Sequence, residues 1–240
     1  MKRLISINKS IIPSCDVSEI EDLEKIVKNT CNVKGIGGYK VGLELVVRYG
    51  LSKVVQTIKA YTALPVIYDH QKGGTDIPNL GMKFARVCKQ SGVDAVILFP
   101  FGGKATEEAW INACQDNGLP VIVGAHMTQE QFLFSEAGFI ADEAPSKIFE
   151  LALKNNVVDF VVPGNKADLV SKYKKQFDIS GKQCILYAPG FISQGGKISE
   201  CGRMAGDYWH AIVGSAIYNA TDIQKAATEL AREIIENQAF

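Results

Sequence analysis

The sequence predicts a (β/α)8 TIM barrel, a single domain over residues 1–240. Three observations predict it. Eight short strand-like runs alternate with amphipathic helix-like segments along the chain. The length, 240 residues, is close to that of one such barrel. Charged residues and glycines crowd the points where strands leave the core, which is where parallel α/β proteins build their sites. A doubly wound open sheet is the alternative use of the same elements.

The strand-like runs cover 10–13, 36–41, 65–68, 95–99, 120–124, 160–162, 184–187 and 211–214, each short, apolar and bounded by turn residues. The helix-like segments cover 18–29, 45–61, 78–91, 106–117, 144–155, 166–177 and 221–237. The first strand is followed by Asp16, which suits either a site or a cap for the helix after it. Ser18, with Glu21 three residues on, forms a capping-box pattern. The second strand, Gly35-Ile36-Gly37-Gly38-Tyr39-Lys40-Val41-Gly42, carries a lysine in an otherwise apolar or small-residue run. Buried there, Lys40 needs a partner, and an acid on the neighbouring third strand is the natural one. If the pleat turned it outward instead, it would lie between helices.

The third strand opens the stretch Leu64-Pro65-Val66-Ile67-Tyr68-Asp69-His70-Gln71-Lys72-Gly73-Gly74-Thr75-Asp76-Ile77-Pro78. An apolar run gives way within eight residues to Asp69, His70, Lys72 and Asp76, and Pro78 stands where a helix begins. A lysine flanked by carboxylates is held protonated and becomes a positioned proton donor. The carboxylates repel an anionic group placed beside them, which favours a reaction that removes that charge. The bland reading of the same residues is a surface ion-pair cluster of little energetic weight.

The fourth strand ends Phe99-Pro100-Phe101-Gly102-Gly103, which reads as wall. The fifth ends Gly124-Ala125-His126-Met127-Thr128, with a long connection to about residue 141 that reads as a lid. A lone histidine is more often a satisfied structural group, and His70, His126 and His210 are read that way first. After the sixth strand comes Val162-Pro163-Gly164-Asn165. Glycine-bearing loops follow the seventh strand (Pro189-Gly190 to Gln194-Gly195-Gly196) and the eighth (Gly214-Ser215), where this fold commonly holds phosphate. Asp222 and the alanine-rich run after it suit the last helix.

The totals exclude several classes. Lys plus Arg equals Asp plus Glu, 26 each, so no basic signal points to nucleic acid and no acidic tail exists. At 47% hydrophobic the chain fills a sizeable core, yet no apolar stretch approaches a membrane span, and no secretory leader is expected at the N-terminus. Six cysteines are scattered without a CxxC pair, which argues for reduced thiols in a cytoplasmic protein and against a zinc knuckle.

These residues resemble the orotidine 5′-monophosphate decarboxylase family through most of the chain. The resemblance lies in Asp16, in Tyr39-Lys40-Val41-Gly42, in Asp69, Lys72 and Asp76-Ile77-Pro78, in Pro189-Gly190 with Gln194-Gly195-Gly196, and in Ile212-Val213-Gly214-Ser215-Ala216-Ile217-Tyr218. It implies a (β/α)8 homodimer that turns orotidine monophosphate, a nucleoside monophosphate, into uridine monophosphate and carbon dioxide without metal or organic cofactor. It implies that Lys72 protonates the carbon that loses carbon dioxide, that Asp69 stands beside the departing group, and that Lys40 joins the charge network and touches the ribose. Asp76 and Ile77 are implied to serve the partner subunit's site. Asp16 is implied to bind ribose, Thr128 the pyrimidine, and Gln194 the base and phosphate; Pro189, Gly195, Gly214 and Ser215 complete the substrate site.

Two departures stand out. The family's Asp-x-Lys-x-x-Asp spacing is here Asp69-x-x-Lys72-x-x-x-Asp76, one residue longer in each gap. One inserted residue on a continuing strand reverses the facing of every later side chain, unless a bulge or Gly73-Gly74 absorbs it. Ser215 stands where the family has an arginine, for which Arg203 or Lys197 are the candidate substitutes. The alternatives are a magnesium-dependent sugar-phosphate decarboxylase or aldolase of the same suprafamily, or a nucleotide-binding relative without activity.

Overall fold

The computed structural model describes residues 3–70, 74–192 and 194–236. Its strands are β1 (Lys9–Pro13), β2 (Tyr39–Val41), β3 (Val66–Asp69), β4 (Ala95–Leu98), β5 (Val121–Gly124), β6 (Asp159–Val161), β7 (Ile185–Ala188) and β8 (Trp209–Val213). All pair in parallel in the order β1-β8-β7-β6-β5-β4-β3-β2. Two bridges, Ile11 with Ile36 and Ser14 with Lys40, bring the free edges of β1 and β2 together. The predicted barrel is thus the architecture found.

The helices are α1 (Ile20–Thr30), α2 (Leu43–Tyr49), α3 (Leu51–Lys59), α4 (Gly81–Gln90), α5 (Lys104–Asp116), α6 (Ala144–Lys154), α7 (Ala167–Ile179), α8 (Ile198–Ala205), α9 (Ser215–Tyr218) and α10 (Ile223–Glu236). Strand alternation sorts the side chains. Ile12, Ile67, Ile97, Ile122, Val161, Ile185 and Ile212 fill the barrel interior, while Ile11, Tyr39, Val41, Val66, Tyr68, Val96 and Val123 face the helices. Each such buried aliphatic side chain stabilises the fold by roughly 1.5–3 kcal/mol. Ile5, with Leu4 packed beside it, joins the inner cluster from the N-terminal segment.

Several expectations are corrected. The segment 45–61 is two helices, broken at Gly50, whose φ of 77° lies where L-residues are strained. The second strand is regular only from Tyr39, with Ile36 joined to Ile11 by an isolated bridge, and at Gly37 a Cβ would lie 2.2 Å from the Ser10 hydroxyl oxygen. The capping box does not form. Glu19 occupies the cap position without a side-chain bond, the Ser18 hydroxyl donates to Glu44, and Glu19 accepts from Arg48 and from Tyr49. Helix α8 was not predicted. Its apolar face, Ile198, Cys201 and Ala205, is narrow, and Gly202 interrupts it where Trp209 approaches to 3.1 Å of an added Cβ. Asp222 does cap α10, accepting the Lys225 N–H at 2.9 Å. Among the described residues no helix is long and apolar enough to cross a membrane.

Candidate active site

The mouth at the C-terminal ends of the strands encloses a cavity of about 280 Å³. Its polar wall comes from β1, β2 and β3. Ser14 and Asp16 follow β1, Lys40 is the middle residue of β2, and Asp69 ends β3. The pleat that puts Ile12 and Ile67 inside puts Ser14 and Asp69 inside as well, two residues further on. Lys40 therefore points into the barrel rather than out between helices, and its side chain is 7% exposed.

Its ammonium lies 3.0 Å from Asp16 Oδ1 and 3.5 Å from Asp69 Oδ2. The Ser14 hydroxyl donates to the other Asp16 oxygen at 2.6 Å. Asp16 thus lines the cavity beside Lys40 and does not cap α1, whose cap position is taken by Glu19. Burial alone would lower the proton affinity of Lys40, but the attraction of Asp69 and Asp16 outweighs it and the pKa rises. Asp69 Oδ1 is buried and has no hydrogen-bond partner among the described residues. One oxygen of this carboxylate is thus paired with Lys40, and the other is buried and unpaired among the described residues.

The rest of the wall is Ile97, Phe99, His126, Met127, Thr128, Val161, Pro189, Gly190, Phe191, Gln194, Ile212, Gly214, Ser215 and Tyr218. Of the residues singled out in the sequence, Asp16, Lys40, Asp69, Thr128, Pro189, Gln194, Gly214 and Ser215 meet here. Lys72 lies outside the described residues. Asp76 and Ile77 do not reach the cavity of their own chain; both are exposed, Ile77 to 59%. Their backbone is nonetheless fixed, since the Thr106 hydroxyl donates to the Asp76 carbonyl and the Trp110 indole to the Ile77 carbonyl.

Gly195 also stands outside the wall. Its N–H donates to the Ile192 carbonyl and that of Gly196 to the Gly190 carbonyl, so these amides shape the loop after β7. Gly190, at φ 102°, lets this loop rest on Asn165 and Thr128, which a Cβ would meet at 3.1–3.2 Å. Ile192 holds a left-handed φ of 63°, a strained conformation for a β-branched residue. Neither proposed substitute for the missing arginine lines the cavity; Lys197 pairs with Glu200 at 2.9 Å and Arg203 is exposed.

The lengthened spacing leaves β3 undisturbed. The strand ends at Asp69, in register with Ile97 of β4, and residues 71–73 lie outside the described residues. His70 points outward, bonded to the Tyr68 hydroxyl and edge-on to Phe84. The segment read as wall in the sequence does supply Phe99 to the cavity. Sequence reasoning passed over Ser14, Ile97 and Val161, which period-two counting from Asp16 or from the strand cores finds, and it gave Ile212 and Tyr218 no place in the wall. Among the described residues no three or more His, Cys, Asp or Glu gather as a metal site.

Comparison with known proteins gives a consistent match. Residues 9–230 match the Orotidine 5′-phosphate decarboxylase / HUMPS family. The chain is 31% identical over 230 residues to an orotidine 5′-phosphate decarboxylase of Methanosarcina mazei, covering 95% of this chain and 96% of the relative. It is 30% identical over 226 residues to that of Pyrococcus abyssi, covering 93% and 98%. Among solved structures, the orotidine 5′-monophosphate decarboxylase of Methanocaldococcus jannaschii complexed with the inhibitor BMP shares the fold at TM-score 0.82 and 23% identity, covering 94% and 98%. The enzyme of Pyrococcus horikoshii gives 0.78 and 26%, covering 94% and 99%.

Proposed function

The chain belongs to the orotidine 5′-phosphate decarboxylase / HUMPS family, and from that membership we propose that it converts orotidine 5′-monophosphate to uridine 5′-monophosphate and carbon dioxide. This is a carboxy-lyase step of pyrimidine biosynthesis, carried out in the cytoplasm without metal or organic cofactor. The observation that carries the reading is the buried Lys40 ammonium held between Asp16 and Asp69 at the barrel mouth, with Asp69 Oδ1 unpaired among the described residues.

The substrate carboxylate sits against Asp69, and the repulsion between them is relieved as the carboxylate leaves as neutral carbon dioxide. The bond from the ring carbon to the carboxyl carbon breaks with its electron pair kept on the ring. Lys72 stabilises that charge, gives the carbon its proton and regains one from water. Lys40 holds Asp69 ionised and, with Asp16, takes the ribose hydroxyls. Thr128 and Gln194 bind the base, with Gln194 reaching the phosphate. Pro189 closes the wall, Gly195 shapes the loop, and the Gly214–Ser215 turn meets the phosphate. Asp76 and Ile77 complete the site of a second subunit in a homodimer, a role supported by their exposure and their fixed backbone.

A nucleotide-binding relative without activity is the second reading, favoured by the longer spacing around Lys72 and by Ser215. The test of the first is Lys72→Ala. A folded variant that loses at least ~1000-fold in kcat, equivalent to ~4 kcal/mol of barrier, supports the assignment; near-normal kcat contradicts it.

A further inference from the structure

The mouth holds a polar pair that the mechanism above leaves unused. His126, two residues past β5, is 2% exposed and lines the same cavity as Asp69 and Thr128. Its Nδ1 lies 2.8 Å from the hydroxyl of Tyr173 on α7. Phe132, from the connection after β5, packs on the ring with centroids 5.2 Å apart. The other ring nitrogen, Nε2, is buried and meets no hydrogen-bond partner among the described residues.

Tyr173 belongs to the layer between barrel and helices. The ring is therefore anchored from outside the barrel, and its opposite edge faces away from α7. A buried, unpaired ring nitrogen is unfavourable unless something fills the hydrogen bond. In a cavity wall, a ligand is the group that does so. The tautomer follows from the same contacts. With Nδ1–H as donor, both the Tyr173 proton and Nε2 would go unpaired among the described residues; with Tyr173 donating to Nδ1 only Nε2–H does, which assigns the imidazole proton to Nε2. Burial first, and then the charges of Lys166 and Lys172 against that of Glu136, push the ring pKa down to about 4. The ring is neutral at physiological pH and is a donor without being an acid.

We propose that His126 is a specificity-determining residue of this site: its Nε2–H, fixed by Tyr173, donates a hydrogen bond to a carbonyl oxygen of the bound pyrimidine. The proposal rests on the decarboxylase reading. It deepens that reading by naming a planar heterocycle with a carbonyl acceptor, rather than a sugar phosphate, as the group the wall recognises. No bond is made or broken at His126.

The chain has three histidines, so 15N-histidine labelling resolves each one. Uridine monophosphate, the product, is titrated into the labelled protein while calorimetry follows binding independently. In the free protein His126 is expected as the Nε2–H tautomer. Its Nε2 resonance moves on saturation, while His210, bonded to Ser10 within the barrel, does not. His126→Ala weakens the nucleotide about tenfold, the size of one lost hydrogen bond in a dry site. His126→Gln, which keeps an N–H, recovers part of that, and Tyr173→Phe mixes the tautomers and raises KM more than it lowers kcat. Bound nucleotide with unchanged His126 resonances, or a folded His126→Ala that binds as wild type, overturns the proposal and leaves the decarboxylase reading standing. No nucleotide binding together with no turnover of orotidine monophosphate overturns both.

Discussion

Replacing Lys40 by methionine removes the only lysine or arginine among the described residues that line the cavity. It leaves Asp16 and Asp69 facing one another across the space the ammonium filled. The Lys40 and Asp69 side chains are 7% and 11% exposed, so solvent screens their interaction little. Asp16, at 41%, keeps much of its hydration. Most of the loss therefore falls on Asp69, whose Oδ1 is already without a partner among the described residues and whose Oδ2 loses its contact. Breaking a buried pair by removing one partner costs about 3–5 kcal/mol. The 3.5 Å separation and the hydration of Asp16 place Lys40→Met near the lower end, ~3 kcal/mol, or a fall in Tm of roughly 6–12 °C for a chain of this size. Urea unfolding followed by circular dichroism measures it, with Asp69→Asn added in both backgrounds as a double-mutant cycle. The cycle is expected to show that Asp69→Asn restores a large part of the loss in Lys40→Met. The sign with pH follows from the raised pKa of Lys40: its contribution is complete below the unfolded value and disappears only as pH rises through the higher folded value. The gap between wild type and variant is therefore flat through neutral pH and closes only under strong alkali. An unchanged unfolding midpoint for Lys40→Met, or an Asp69→Asn that worsens it, refutes the buried-pair account.

Two further perturbations test the packing around the site. A Cβ on Gly124 would lie 2.3 Å from the ring of Phe99, so Gly124→Ala displaces a wall residue of the cavity; a loss of about 1–3 kcal/mol in thermal unfolding is expected, and an unaltered Tm contradicts the contact. Glu107, 2% exposed on α5, has its pKa pushed up to about 8, by burial first and then by Glu108. The folded chain keeps a proton there that the unfolded chain releases, so stability falls as pH rises from the ordinary carboxylate range to about 8. Glu107→Gln is expected to flatten that slope and to be more stable than wild type by on the order of 2 kcal/mol at pH 8; equal slopes contradict the burial.

The barrel was legible because its strands are short apolar runs at regular spacing and its chemistry sits at their ends. Lys40 was legible as a cost: a lysine inside a small-residue strand has to be paired, and Asp69 on the next strand pairs it. Asp16 was ambiguous, because an aspartate before a helix suits a cap equally well; only the third dimension brings it to Lys40. What stayed hidden depends on contacts between distant segments. Gly37 is glycine because Ser10 lies against it, Gly124 because Phe99 does, and Gly202 because Trp209 does. The first two pairs are far apart in sequence, and the third spans the turn from α8 into β8. The break at Gly50 is a backbone choice that an amphipathic pattern running through 45–61 conceals. His126 was discounted as a lone histidine, and its free nitrogen emerges only when Tyr173, some forty-seven positions away, is seen to occupy the other one.

The central claim is tested most directly by adding orotidine monophosphate to the purified chain, with and without chelator, and following the ultraviolet absorbance of the orotate ring. Catalytic loss of that absorbance, with uridine monophosphate and carbon dioxide formed in equal amounts and no effect of chelator, is the predicted result. A folded protein that leaves the absorbance unchanged, or one whose turnover is abolished by chelator, contradicts it.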